Sequence, residues 1–85
     1  MEYCVGQLVR SKAGRDKGSD FIVLKVENDY VYVADGSVRR LENPKKKKLK
    51  HVQPSGKIAR EIADLLESGT LENYIIRNIL KRLNS

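Results

Sequence analysis

The stretch FIVLKVENDYVYVADG, residues 21–36, carries the clearest secondary-structure signal in the chain. Residues 21–27 and 30–34 are rich in β-branched and aromatic side chains, which favours two strands, and the Asn-Asp pair between them is typical of a tight turn. The Asp-Gly pair that closes the stretch is a favoured hairpin turn, and it predicts a further strand over residues 37–42. The stretch therefore predicts three consecutive antiparallel strands.

Two more strands are predicted on either side of these three. The segment VGQLVRS, residues 5–11, has the composition of a strand, and the segment after it, residues 12–20, has two glycines and two aspartates typical of a loop. On the other side, a lysine-rich loop is expected to lead into a last short strand at residues 49–53. Five short strands separated by turns predict a small, strongly bent antiparallel barrel.

The composition changes at QPSG, residues 53–56, after which apolar residues recur at helical spacing. A first helix is predicted over residues 57–67, with Ser55 as its N-cap and Gly69 at its end. Its apolar face consists of Ile58, Ile62, Leu65 and Leu66.

A second helix is predicted after Thr70, which can cap its N-terminus. Lys81 and Arg82 suit the C-terminal end of its dipole. Its apolar stripe consists of Leu71, Ile75, Ile79, Leu80 and Leu83. We therefore expect a mainly β protein with α: a barrel over residues 1–54, and a helical hairpin over residues 55–85 that packs on or next to it.

The positive charge of the chain is concentrated in one segment. Residues 39–51 hold seven lysines and arginines and a single acidic residue, so this segment carries as much net charge as the whole chain, +6. A concentrated cationic patch on a small domain suggests a polyanionic partner, such as RNA, DNA or an anionic membrane. The lysine run has no adjacent apolar anchor, which disfavours the membrane.

Several other classes of function find little support in the sequence. Cys4 is the only cysteine and His51 the only histidine, so an internal disulfide and a zinc site built from these two residue types are excluded. We expect Cys4 to be a small apolar side chain at the start of the first strand. The chain shows no catalytic constellation, signal peptide or membrane span, and we predict a cytoplasmic protein that is not an enzyme and has no cofactor or metal.

A resemblance to a known family covers residues 5–54. VGQLVRSKAGRDKGSDFIVLKVENDYVYVADG resembles a KOW motif, and the likeness continues through SVRRLENPKKKKLKHVQPS. The whole is similar to the family of large-subunit ribosomal protein fourteen of archaea and eukaryotes, and to its small bacterial relatives. The features that carry the likeness are Gly6, residues 13–16, Gly18, Asp35 with Gly36, and the basic run from Arg39 to His51.

That resemblance implies an SH3-like barrel that binds RNA, largely ribosomal RNA. The sequence departs from it at Phe21, where many KOW motifs have glycine, and we expect Phe21 to pack inside the barrel. The helical hairpin matches no ribosomal motif and resembles only the tail of the small bacterial relatives.

Two basic segments supply the candidate RNA-binding residues. Arg39 and Arg40, expected on a strand, have guanidinium groups suited to bidentate phosphate contacts, and the four consecutive lysines are expected on a flexible, projecting loop. A solvated loop without a partner is the alternative. The candidates are Lys12, Arg15, Lys17, Arg39, Arg40, Lys45, Lys46, Lys47, Lys48, Lys50 and His51. Tyr30 and Tyr32 alternate on one strand and can either stack on unpaired bases or pack against the protein.

The sequence predicts a non-enzymatic RNA-binding protein, ribosome-associated and active in translation. The alternative is a protein-interaction adaptor that binds a partner through the barrel and the apolar helices. This alternative depends on an apolar excess in the second helix, where Ile76 lies beside Ile75 and near Ile79, which we expect one small barrel to leave partly exposed.

Overall fold

A computed structural model describes residues 3–85 and has five strands followed by two helices. The elements are β1 (Gln7–Ser11), β2 (Asp20–Glu27), β3 (Tyr30–Ala34), β4 (Lys45–Lys48), a 3₁₀ helix (Leu49–His51), β5 (Val52–Ile58), α1 (Glu61–Ser68) and α2 (Asn73–Leu83). All neighbouring strands are antiparallel, in the order β4-β3-β2-β1-β5. The protein is therefore mainly β with α, as predicted.

The first three strands lie where the sequence places them. β3 has the predicted limits, and β1 and β2 differ from theirs by one or two residues. Asn28, in the turn between β2 and β3, has a φ of +53°. Asn tolerates this left-handed conformation better than most residues, which is why it suits a tight turn.

The predicted fourth strand at residues 37–42 is wrong, because this segment forms bends and turns. The carboxylate of Asp35 accepts hydrogen bonds from the backbone N–H groups of Ser37 (2.8 Å) and Arg39 (2.9 Å). The backbone N–H groups of Asp35 and Gly36 in turn donate to the carbonyl of Arg39. These local bonds use backbone groups that a strand would pair with its neighbour.

The fourth strand is instead the lysine run, and the fifth is longer than predicted. β4 pairs with β3, and the predicted strand at residues 49–53 divides into the 3₁₀ helix and the start of β5. β5 continues to Ile58 and so crosses the predicted boundary between residues 54 and 55. Ser55, predicted to cap a helix, lies within β5, where its hydroxyl donates to the carbonyl of Leu8 (2.8 Å).

The helices form the predicted hairpin with different starting points. α1 begins at Glu61 after Arg60, which makes no side-chain capping bond, and it ends at Gly69 as predicted, with φ +72°. Thr70 does not cap α2, because that helix begins at Asn73. The hydroxyl of Thr70 lies 2.6 Å from that of Ser68 instead.

The sheet bends strongly, because its two outer strands are joined by only three residues. In a flat five-stranded sheet, β4 and β5 would lie about 19 Å apart. A 3₁₀ helix advances only about 2 Å per residue, so the connection cannot span that distance. The inner face that results is lined by Val9, Phe21, Val23, Val31, Val33 and Val52, all buried. Phe21, 3% exposed, is packed as predicted.

The helices cover part of the outer face of the sheet. Leu8, Ile22, Leu24 and Ala34 from this face join Ala59, Ile62, Leu71, Ile76 and Ile79 in a second buried cluster. The predicted stripe of α2 is confirmed for Ile75, Ile79, Leu80 and Leu83, which are buried in this cluster or pack against it. Leu71 is buried as well, but it lies before the start of α2. Ile76 is 0% exposed, so the expected exposed excess on this helix is wrong there. The two helices together bury what neither could bury alone.

Candidate nucleic-acid interface

Strand alternation divides the four lysines of β4 into two pairs. Lys45 and Lys47 lie opposite Val33 and Val31 of β3, whose side chains belong to the inner face. Lys46 and Lys48 lie opposite Tyr32 and Tyr30 on the outer face. The predicted flexible, projecting loop is therefore wrong, because all four lysines lie on a paired strand.

Both lysines of the inner pair contact one aspartate from the loop between β1 and β2. Lys47 Nζ donates to Asp16 Oδ1 (2.9 Å) and to the carbonyl of Ala13 (3.2 Å), and its side chain is only 6% exposed. Lys45 Nζ lies 3.3 Å from Asp16 Oδ2. The hydroxyl of Ser11 donates to Asp16 Oδ1 at 2.6 Å. This cluster, which we call the Asp16 cluster, fixes the loop against β4.

The pKa of Asp16 reflects two opposed effects. Burial of the carboxylate, whose side chain is 16% exposed, would raise its pKa. Hydrogen bonds and charge from Ser11, Lys47 and Lys45 outweigh that effect and lower the pKa of Asp16 to about 2. Asp16 is therefore ionised at neutral pH, and Lys47 is committed to it.

The outer pair faces aromatic rings. Lys46 Nζ lies 4.3 Å from the centre of the Tyr30 ring and 5.9 Å from that of Tyr32. Lys25 Nζ, from β2, lies 5.4 Å from the centre of the Tyr32 ring. A cation over an aromatic ring at an exposed site contributes about 0.5–1 kcal/mol. The outer face of β2, β3 and β4 thus combines two tyrosines with three lysines, and we call it the Tyr-Lys face: Lys25, Tyr30, Tyr32, Lys46 and Lys48.

One acidic residue lies at the edge of this face. Glu27 Oε1 accepts a hydrogen bond from the Tyr32 hydroxyl (3.2 Å), and Glu27 Oε2 lies 3.2 Å from Lys25 Nζ. The hydrogen bond and charge of Lys25 lower the pKa of Glu27. Glu27 therefore compensates Lys25 and orients the ring of Tyr32.

Tyr30 lines two open grooves. One, of about 400 Å³, is lined by Asp29, Tyr30, Lys48, Leu49 and Lys50. The other, of about 330 Å³, is lined by Tyr30, the four lysines of β4, Ala13, Gly14 and His51. The backbone N–H of Lys12 donates to the carbonyl of His51 (2.8 Å), which places Lys12 beside the second groove. Residues from both predicted basic segments therefore meet around Tyr30.

The cations around Tyr30 form no ion pair in the described part of the chain, although Asp29 lines one of the grooves and the charge of Lys46 is a minor cause of the lowered pKa of Glu27. Within residues 3–85, the side chains of Lys12, Lys46, Lys48 and Lys50 are exposed and have no carboxylate within 4.0 Å. This contrasts with Lys45 and Lys47, which share Asp16. Exposed, unpaired lysines keep their charge available to an external anion.

The remaining predicted cations lie further from Tyr30. Arg15 and Lys17 are exposed in the β1–β2 loop, where Gly14 (φ +86°) and Gly18 (φ +90°) allow its tight turns. Arg15 lines a third groove, of about 330 Å³, together with Arg39 and Lys45.

Arg39 and Arg40 do not lie on a strand, so that expectation is wrong. Arg39 Nη1 donates to the carbonyl of Asn43 at 3.5 Å. Arg40 Nε donates to Glu42 Oε2 (3.3 Å), and Glu42 Oε1 accepts a hydrogen bond from Asn73 Nδ2 (2.6 Å). The hydrogen bond from Asn73, followed by that from Arg40, lowers the pKa of Glu42. Arg40 is therefore locally compensated, whereas Arg39 shares the third groove with Arg15.

Sequence reasoning did not identify Lys25 as a site residue and left the roles of Tyr30 and Tyr32 open. The signal that could have found them is the β2–β3 hairpin itself, because its register sets Lys25 opposite Tyr32. No such local signal existed for Lys46 and Lys48, since residues 35–44 separate them from β3.

The groups used in metal binding and thiol chemistry are sparse in the described residues. Within residues 3–85, no group of three or more His, Cys, Asp or Glu side chains could hold a metal ion. Cys4 is exposed and precedes β1, so the expectation of an apolar side chain opening the strand is wrong. No helix among the described residues is long and apolar enough to cross a membrane.

No family model matches the chain, and a search of the curated proteins finds no match.

Proposed function

We propose that this protein is a non-enzymatic RNA-binding protein whose contact surface is centred on Tyr30. The observation that carries the proposal is the set of exposed lysines that line the grooves at this ring, Lys46, Lys48 and Lys50, with Lys12 joined through its backbone to the groove residue His51. None of these lysines has a carboxylate within 4.0 Å in the described residues. Lysines of this kind suit phosphate groups, where charge counts more than base identity.

We further propose that the bent sheet is an SH3-like barrel of the KOW type. Two features support this assignment: the outer strands β4 and β5 are joined by a short 3₁₀ helix, and the β1–β2 loop turns at Gly14 and Gly18. The resemblance of residues 5–54 favours ribosomal RNA as the ligand and a ribosome-associated, cytoplasmic protein.

The proposed surface is smaller than the one expected from the sequence. Lys47 is excluded because its ammonium group is buried on Asp16, and Arg40 is largely compensated by Glu42. His51 lines the groove beside Tyr30. Arg15 and Arg39 line a third groove, which Asp16 and Asp35 also line, and Lys17 is exposed in the same loop as Arg15. These three cations are outlying contacts for a longer RNA, whereas Lys45 is paired with Asp16.

The experiment that tests the proposal is the salt dependence of RNA binding. Fluorescence anisotropy with a labelled 12-nucleotide unstructured RNA is measured at several KCl concentrations for the wild type and for the double variant Lys46→Gln, Lys48→Gln. If each lysine contacts one phosphate, the slope of log K against log salt should shrink by about 1.4, because each phosphate neutralised in a single strand contributes about 0.7.

A matched control removes the same charge from the helices. Arg60 and Lys81 are both exposed, and the double variant Arg60→Gln, Lys81→Gln should leave the slope unchanged. Absence of salt-dependent binding by the wild type would refute RNA binding. If the slope shrinks equally in the two double variants, the change reflects only the net charge of the protein, and the surface around Tyr30 is not the RNA contact.

The structure does not support the sequence argument for the adaptor function. Its sequence argument required apolar residues of α2 to remain exposed, and Ile76 is buried while Ile75 packs against the core cluster. RNA binding is therefore the function that the geometry supports best.

A further inference from the structure

The outer face of the sheet has a covered half and an open half. Along β3, Ala34 is buried under the helices, whereas Tyr30 and Tyr32, on the same face, are only half-buried. The helices cover Leu8, Ile22 and Leu24 of the neighbouring strands in the same way. The two tyrosines thus lie where the helical cover ends.

The rings of the open half are held in place without being enclosed. The hydroxyl of Tyr32 donates to Glu27, and Lys46 lies over both rings. Tyr30 and Tyr32 are two residues apart on a paired strand, so their side chains are presented side by side on a rigid support. Such a support limits the entropy lost when a flat ligand stacks on the rings.

The ammonium group over the rings can be displaced by a nucleobase. Stacking of a base on an aromatic side chain is stronger than a cation–π contact at an exposed site. Lys46 has no carboxylate within 4.0 Å in residues 3–85, so it can leave the ring and contact a phosphate of the same strand. When a base replaces the ammonium group of Lys46 on the ring, the charge of Lys46 still contributes through the phosphate, and the stacking interaction is gained.

Only unpaired nucleotides can use this face in that way. In a duplex, the base faces are stacked on one another, and the protein meets only phosphates, sugars and base edges. An unpaired base exposes its π-face. The two grooves that Tyr30 lines give the rest of a strand room to continue, one beside Leu49 and Lys50 and the other beside Gly14 and His51.

We propose, on the basis of the RNA-binding function above, that the Tyr-Lys face is a stacking platform for unpaired nucleotides. Tyr30 and Tyr32 stack on bases, and Lys46 and Lys48 hold the adjoining phosphates. The RNA segment bound at this face is single-stranded, such as a loop or bulge of a folded RNA.

The test compares a labelled unstructured 12-nucleotide RNA with a blunt 12-base-pair RNA duplex, by anisotropy at 0.1 M KCl. The wild type should bind the single strand about tenfold more tightly or better. Tyr30→Leu and Tyr32→Leu should each weaken single-strand binding by about fivefold or more, leaving duplex binding within about twofold and the salt slope unchanged.

Three controls separate stacking from other effects. Tyr30→Phe and Tyr32→Phe keep the rings and should retain single-strand binding within about twofold. Tyr74→Leu removes an exposed tyrosine of α2, 56% exposed, and should change neither affinity. Far-UV circular dichroism checks the fold of each variant. If a leucine variant unfolds, the affinities of the phenylalanine variants and the ratio of the wild-type affinities for strand and duplex still test the stacking platform.

The outcomes distinguish this inference from the function it depends on. If the wild type binds strand and duplex equally, or if the leucine variants weaken both equally, the stacking platform is overturned while RNA binding stands. If the wild type binds neither RNA, both proposals fail.

Discussion

The two faces of β4 carry the same side chain in two electrostatic settings. On the inner face, Lys47 is buried against Asp16, and Lys45 shares the same carboxylate. On the outer face, Lys46 and Lys48 are exposed and lie beside tyrosine rings. Adjacent residues of β4 therefore differ in role, because Lys47 holds the fold together and its neighbours Lys46 and Lys48 are free to bind an anion.

This difference teaches that a run of like charge need not act as one unit. A buried lysine must be paired, because desolvating an unpaired ammonium group is costly. An exposed lysine keeps its water shell and its charge. β4 is also an outer strand of the sheet, and lysines on such a strand oppose edge-to-edge aggregation, which accounts for part of the run without any ligand.

The largest expected effect that separates the two faces is on stability. Lys47→Gln should lower the free energy of unfolding by about 3 kcal/mol, because it removes the buried ammonium group that is hydrogen-bonded to the Asp16 carboxylate. Lys48→Gln, the matched change one residue further on, should alter it by less than about 0.5 kcal/mol. Urea denaturation of both variants measures the difference. Equal effects would mean that the faces of β4 are not energetically distinct.

A smaller effect on the free energy of unfolding is expected at acidic pH. The pKa of Asp16 is lowered from 3.8 to about 2, so its contribution to stability is fully present above pH 4 and is lost as the pH falls towards 2. After solvent screening, this contribution is about 1–2 kcal/mol. Asp16→Asn should therefore be less stable than the wild type at pH 7. The difference between their free energies of unfolding, measured by urea denaturation, should become smaller below pH 4.

The acid measurement needs the variant as its reference. The pKa values of Glu27, Glu42 and Glu61 are also lowered, so the wild type loses stability in acid for other reasons. Those carboxylates are common to the wild type and Asp16→Asn, and the difference between the two proteins isolates Asp16. A gap that stays constant from pH 7 to pH 2 would contradict the assigned role of the Asp16 cluster.

The smallest effect concerns the outer face. Lys46 over Tyr30 should contribute about 0.5–1 kcal/mol to stability. A double-mutant cycle of Lys46→Gln and Tyr30→Leu, followed by urea denaturation, measures this coupling separately from the loss of either side chain. A coupling energy near zero would show that Lys46 does not contact the ring in solution. The contrast between the two faces of β4 would then depend on the inner face alone.

The elements predicted correctly are those whose signals are local. The β2–β3 hairpin follows from β-branched runs on either side of Asn28 and Asp29, and Gly69 ends α1 because only a residue at ease with positive φ fits there. The helices follow from apolar spacing, although neither predicted N-cap, Ser55 or Thr70, caps a helix. A capping residue can be recognised only when the actual first turn is known.

The elements predicted wrongly depend on contacts between distant parts of the chain. Residues 37–42 have strand-like composition, but Asp35 closes them into a turn, and Asn73 of α2 accepts a hydrogen bond from the backbone of Leu41 (2.7 Å). With that segment unable to pair, β4 begins at the lysines. The side of β4 on which each lysine lies then follows from its register with β3.

The sequence by itself determined the strand-rich first part, the two amphipathic helices and the concentration of positive charge, because periodicity, turn chemistry and composition act over a few neighbouring residues. Only the tertiary structure decided which lysines are paired and which are free. That choice depends on Asp16, about thirty residues earlier in the chain, reaching the inner face of β4, and on tyrosines of another strand lying on the outer face. A long-range pairing register has no local signature, so the division of the four lysines became visible only once the strands were placed side by side.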